Sequence, residues 1–105
     1  MEAKRIETLQ QMEAAKPNEP FIKFALALEY LNSGETETAS SYFEKLTQDF
    51  PNYSATYYHF GKMKETIGEI EIAIELYKKG IEVTTTNKET KNLNELKEAL
   101  YLIED

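Results

Sequence analysis

Cysteine and tryptophan are absent from this chain of 105 residues, histidine occurs once (His59), and glycine and proline number only four and three. Without cysteine, neither a disulfide framework nor a thiolate metal site can form. No His/Cys metal-ligand spacing exists, and no loop matches the calcium-binding pattern D-x-[DN]-x-[DN]-G. Gly34, Gly61, Gly68 and Gly80 are isolated, so no glycine-rich loop can cradle a phosphate. Positive charge is short as well. Twelve Lys and Arg face nineteen Asp and Glu, a net charge of −7 with a pI near 4.8. Phosphate binding needs a positive field, which argues against a nucleic-acid partner or an anionic membrane surface. No apolar run approaches the roughly 18 residues that span a bilayer. The opening MEAKRIETLQQME is charged throughout and does not read as a signal peptide. These absences predict a cytoplasmic protein with no metal, no cofactor and no membrane or nucleic-acid partner.

What is present is repetition. GETETA at residues 34–39 returns as GEIEIA at 68–73, a lag of 34. The same lag sets Pro17-Asn18 on Pro51-Asn52, Lys45 on Lys79, Phe24 on Tyr58, Leu26 on Phe60, Ala27 on Gly61 and Phe43 on Tyr77. One interval that aligns prolines, glycines, small residues and aromatics together marks a structural repeat.

Local physics gives each copy two helices. Pro20 can open a helix because its missing N–H would be unpaired there anyway. The helix runs to about Ser33, and Gly34 supplies the left-handed residue that ends it. Glu35 and Glu37 suit the positive end of the next helix. That helix continues to about Asp49 and stops before Pro51. The second copy predicts helices over about 53–67 and 70–83 with a turn at Gly68. Short turns make antiparallel hairpins. Leu26, Ala27 and Tyr30 are expected to face Ala39, Phe43 and Leu46. Residues 5–17 carry a further helix, with Ile6, Leu9 and Met12 on its packing side. Residues 89–104 carry a last one, with Leu93, Leu96, Leu100 and Ile103 on one stripe and a polar exterior. The intervening TTTNKET reads as a loop, or as an extension of the helix before it. Ile70 and Ile72, where the first copy has Thr36 and Thr38, predict deeper cover for the second copy by that last helix.

Spacing and residue types together resemble the tetratricopeptide repeat, whose 34-residue unit carries W-x2-L-G-x2-Y, then A-x3-F, then P. The first copy reads Lys23-x2-Leu26-Ala27-x2-Tyr30, Ala39-x3-Phe43, Pro51; the second reads Tyr57-x2-Phe60-Gly61-x2-Lys64, Ala73-x3-Tyr77, Thr85. Lys23, Lys64 and Thr85 depart from the pattern. The resemblance implies an all-α fold of about six helices, with antiparallel hairpins stacked as a superhelix. It implies a single domain over 1–105: a half repeat (1–19), two full repeats (20–53 and 54–87) and a C-terminal capping helix (88–105). A plain helical bundle is the structural alternative.

No catalytic constellation accompanies the repeat. His59 has no nucleophile or partner recognisable in sequence, and the carboxylates spread over helix surfaces. A non-enzymatic protein-binding module is therefore expected. In the family it resembles, ligands lie on a concave face lined by the first helix of each repeat. Carried over residue by residue, that face holds Phe21, Phe24, Ala25, Leu28 and Leu31 in the first copy, and Tyr58, His59, Lys62 and Glu65 in the second. FIKFALALEYL is apolar nearly all round, which predicts either cover on all sides by neighbouring helices or an open groove. The groove would take a protein or peptide segment, with Phe24 and Tyr58 as anchors and Lys62 and His59 orienting an acidic group. The alternative is a homodimer or oligomerisation scaffold using the same stripe. The Lys/Asn/Arg clamp by which some family members grip chaperone tails is not matched: Phe24, Leu28 and His59 stand at its positions.

Overall fold

The computed structural model describes the backbone of residues 2–104 and the side chains of residues 4–104. These residues form six α-helices and no strand: α1 (Glu2–Ala15), α2 (Pro20–Asn32), α3 (Thr36–Asp49), α4 (Ala55–Thr66), α5 (Ile70–Asn87) and α6 (Thr90–Ile103). None of these helices is long and apolar enough to cross a membrane. They group into two compact units, one ending at Phe50 and the other beginning at Pro51.

In the first unit, α2 packs against α3 on one side and α1 on the other. Leu26 and Ala27 of α2 and Ala39, Phe43 and Leu46 of α3 are buried, as the helical spacing predicts; Ile22 joins them, and Tyr30 is only half-buried. Ile6 and Leu9 of α1 are half-buried, but Met12 is 43% exposed. In the second unit, α5 lies between α4 and α6, and the core gathers Tyr57, Ala73, Tyr77, Val83, Leu96 and Ala99. At Gly80 the three helices meet. A Cβ there would stand 2.7 Å from Tyr57 Cβ and 2.9 Å from Leu96 Cδ1, so only glycine allows this crossing.

Three helix ends share one hydrogen-bond pattern. Glu35 N donates to Tyr30 O and Gly34 N to Leu31 O; Glu69 and Gly68 repeat this on Lys64 and Glu65; Glu89 and Lys88 repeat it on Thr84 and Thr85. These are Schellman motifs, which satisfy the last carbonyls through a left-handed residue. Glycine fills that place at Gly34 and Gly68, with φ of +84° and +87°; Lys88 fills it at φ +60°. A left-handed conformation is costly for a residue with a Cβ. Lys88→Gly is therefore expected to raise stability by about 1 kcal/mol in urea denaturation. An unchanged or lower midpoint would contradict the strain.

Three expectations are corrected. Helix α4 starts at Ala55, two residues after the expected start near Tyr53, and the Ser54 hydroxyl at its N-cap donates to Glu89 instead of capping the helix. For TTTNKET the extension is the reading that holds: α5 runs on to Asn87, with Thr84 buried and its hydroxyl donating to the Gly80 carbonyl at 2.8 Å. Ile70 and Ile72 are 38% and 43% exposed rather than deeply covered. Helix α6 has 14 residues against the 18 of α5. Its far end reaches the level of Lys78, which pairs with Glu104 at 3.3 Å, and leaves the first turn of α5 uncovered. The exterior of α6 is not wholly polar either, since Tyr101 and Leu102 are 81% and 70% exposed.

Candidate functional site

Each unit carries one concavity lined by residues expected from the sequence. In the first unit it is a groove of about 550 Å³ between α1 and α2. Phe21, Phe24, Ala25 and Leu28 line one side, and Leu9 and Thr8 of α1 the other, with Lys4, Arg5 and Glu29 at its margins. The second apolar stripe of α2 thus meets α1 only in part. Phe21 remains 57% exposed, while Phe24 and Leu28 are half-buried. Arg5 Nε pairs with Glu29 Oε2 at 3.0 Å, joining the two helices at the groove. Leu31 is half-buried but does not line this groove.

The opposite flank of the unit is held by a polar network. Lys23 Nζ donates to Glu13 Oε2 and to the Pro17 carbonyl, each at 2.9 Å. Tyr42 Oη donates to Glu13 Oε1 at 3.1 Å, and its ring stacks on Tyr30 with centroids 5.8 Å apart. Burial, then the charge of Glu13 and the hydrogen bond to it, push the Tyr42 phenol up to about 12, so it remains a donor. Lys23 takes the place of the family's large aromatic, and in the second copy that place belongs to Tyr57. Tyr57 Oη donates to the Pro51 carbonyl at 2.7 Å. One repeat later, a phenol therefore satisfies the same proline carbonyl that an ammonium satisfies in the first.

The second unit's concavity lies between α4 and α6, again about 550 Å³, and is mixed in character. Tyr58, His59 and Lys62 face Glu95, Glu98, Ala99 and Leu102. Lys62 Nζ sits 5.6 Å from the centre of the Tyr58 ring, and the rings of Tyr58 and His59 meet edge to face at 5.5 Å. The carboxylates from α6 were not anticipated. An acidic ligand drawn by Lys62 and His59 would meet Glu95 and Glu98 across the cleft, which removes the reason to expect one. Burial lowers the His59 pKa from 6.5, with Glu95 acting against that shift.

This has a consequence for stability. Between the folded and unfolded pKa values the unfolded chain binds more protons, so stability falls as the pH drops through 6.5 towards the folded value. NMR titration of this lone imidazole should give a midpoint below 6.5. A midpoint at or above that value would mean that Glu95 outweighs burial.

Glu65 already has an intramolecular role. It accepts a hydrogen bond of 2.9 Å from Tyr77 Oη and pairs with Lys62 at 3.9 Å. Burial and this hydrogen bond raise the Tyr77 phenol well above its ordinary value. The paired change was visible in sequence: in the first copy, Leu31 and Phe43 lack both the carboxylate and the hydroxyl. Among the described residues no cluster of three or more His, Cys, Asp and Glu could hold a metal ion.

Comparison with known proteins agrees with this architecture. A tetratricopeptide repeat model matches residues 22–48 and 54–87. A TPR repeat-containing protein of Pseudomonas aeruginosa is 27% identical over 82 residues, 78% of each chain. The crystal structure of a tetratricopeptide repeat domain protein from Salinibacter ruber is 38% identical, with a TM-score of 0.79, and the match covers 82% of this chain and 96% of that one. A solution NMR structure of a tetratricopeptide repeat domain protein from the same organism gives 38% identity and a TM-score of 0.81, covering 85% and 90%. With more than half its length matched by the repeat model, and in the turns, small residues and aromatics that define the hairpin, this chain belongs to the tetratricopeptide repeat family.

Proposed function

We propose that the chain is a non-enzymatic protein-binding module, and that the α1/α2 groove takes an extended or helical segment of a protein partner. Tetratricopeptide repeats generally serve as protein–protein interaction modules. The observation that carries the reading is the groove's apolar floor. Phe21, Phe24 and Leu28 lie along one side of α2 at spacings of three and four, and Phe21 is more than half exposed. An apolar stripe in a groove is the form in which helices accept peptide segments, and aromatic anchors supply most of the binding energy. The α4/α6 cleft is a poorer anchor, since four of its seven lining residues are charged or imidazole, against three of nine in the α1/α2 groove.

Phe24→Ala and Tyr58→Ala, made separately, test the assignment. Baits of wild type and each variant are compared, and a protein retained by wild type is purified and titrated against all three. Phe24→Ala is expected to weaken binding by at least about 2 kcal/mol, with helicity retained. The smaller loss is expected for Tyr58→Ala. Equal affinity of folded Phe24→Ala and wild type would remove the groove from the function.

A further inference from the structure

Two described surfaces complement each other in shape and charge. The first is the α1/α2 groove, apolar along Phe21, Phe24 and Leu28 and carrying Lys4 and Arg5 at its margin. Arg5 is paired with Glu29, whereas Lys4 makes no ion pair among the described residues. The second is the end of α6. Tyr101 and Leu102, at 81% and 70%, are the most exposed large apolar side chains described. Consecutive on a helix, they diverge by about 100° and form a projection rather than a flat stripe. Glu98 stands exposed one turn before Leu102, and Glu104, shared with Lys78, lies just beyond. A tyrosine and a leucine flanked by carboxylates match a groove with an aromatic floor and a cationic edge. A chain of net charge −7 repels its own copies on average, so a contact between copies needs a locally positive place. Lys4, unpaired among the described residues and beside the Arg5–Glu29 pair, supplies one at the edge of a groove whose lining is mainly apolar and aromatic.

We propose that the α1/α2 groove of one molecule receives the α6 end of a second molecule. Tyr101 and Leu102 seat over Phe21, Phe24 and Leu28, and Lys4 faces Glu98. The inference rests on the groove reading above and names a second copy of this chain as an occupant. The contact is heterologous, pairing two different surfaces rather than one surface with itself. One helix end in one groove buries less than a standard stable interface, so the association is weak and reversed by dilution.

Sedimentation equilibrium over a concentration series tests it, with wild type, Phe21→Glu and Tyr101→Glu alone and the two variants mixed. Both positions are mainly exposed, so the variants are expected to keep the helicity and melting behaviour of wild type. Wild type should self-associate at high concentration. Each variant alone should associate at least about tenfold more weakly. The mixture should recover association, because the intact groove of Tyr101→Glu meets the intact α6 end of Phe21→Glu. Lys4→Glu should weaken the contact in the wild-type background, and Glu98→Lys should restore it.

A wild type that stays monomeric at the highest soluble concentration overturns the proposal and leaves the groove's binding of other proteins to the Phe24→Ala comparison. Two weakened variants whose mixture does not recover would show like surfaces pairing, which also overturns it. Self-association untouched by Phe21→Glu would do the same. Recovery in the mixture together with a captured partner indifferent to Phe24→Ala would sustain the self-contact and remove the foreign-partner reading alone.

Discussion

Phe43→Ala is expected to cost about 3–5 kcal/mol, the largest single loss in the first unit. Its side chain has no exposed surface and sits in the buried set with Leu26, Ala39 and Leu46. Truncation removes the transfer free energy of a ring and leaves a cavity that two helices joined by a short turn cannot easily collapse around. Small domains have about 5–15 kcal/mol in total, so the variant should be close to unfolding at room temperature. Urea denaturation gives the magnitude. Amide hydrogen exchange gives the place: protection should fall first in α2 and α3, because contacts in repeat proteins are mostly between neighbours. A loss below about 1.5 kcal/mol would mean that the hairpin repacks readily.

Three positions differ together between the copies: Ala27, Leu31 and Phe43 in the first, and Gly61, Glu65 and Tyr77 in the second. A Cβ on Gly61 would fall against the Tyr77 ring, and that ring is held by the hydrogen bond from its hydroxyl to Glu65. Gly61→Ala gains about 1 kcal/mol of helix propensity but overpacks a fixed ring, so a net loss of about 1–2 kcal/mol is expected. Glu65→Leu alone leaves a buried phenol without its acceptor, at about 1–3 kcal/mol. The triple variant Gly61→Ala, Glu65→Leu, Tyr77→Phe installs the first copy's set in the second. Its stability should return to within about 1 kcal/mol of wild type, a non-additivity typical of residues in contact. Thermal and urea denaturation of the singles and the triple decide it. If the losses simply add, the three positions are not one packing unit.

Much of the architecture was legible in the sequence, and for identifiable reasons. Gly34 and Gly68 mark helix ends because a left-handed residue without a Cβ is cheap, and each sits between apolar stripes of helical period. Ala39 and Ala73, both fully buried, mark close approach because size at an interface is a local property of the residue. The end of α5 was less legible. A polar stretch such as TTTN looks like loop, yet Thr84 satisfies its hydroxyl on the backbone of its own helix and can be buried. The third helix end escaped notice because Lys88 adopts the left-handed conformation without being glycine.

The candidate site divides along the same line. The sequence by itself determined the repeat, the helix pairs, and the unusual apolar breadth of α2. Those follow from periodicity and from backbone preferences carried by single residues. Only the tertiary structure decided what lies opposite each exposed stripe. It set Leu9 and Arg5 of α1 across from Phe24, and Glu95 and Glu98 of α6 across from His59 and Lys62. It also turned Lys23, an apparent departure from the repeat, into a half-buried donor for Glu13 and the Pro17 carbonyl, and it gave Glu65 to Tyr77. The physical reason is that a helix records its own faces in its sequence period, whereas the chemistry of a groove depends on a second helix. The rotation and offset of that helix are set by packing, and no period encodes them.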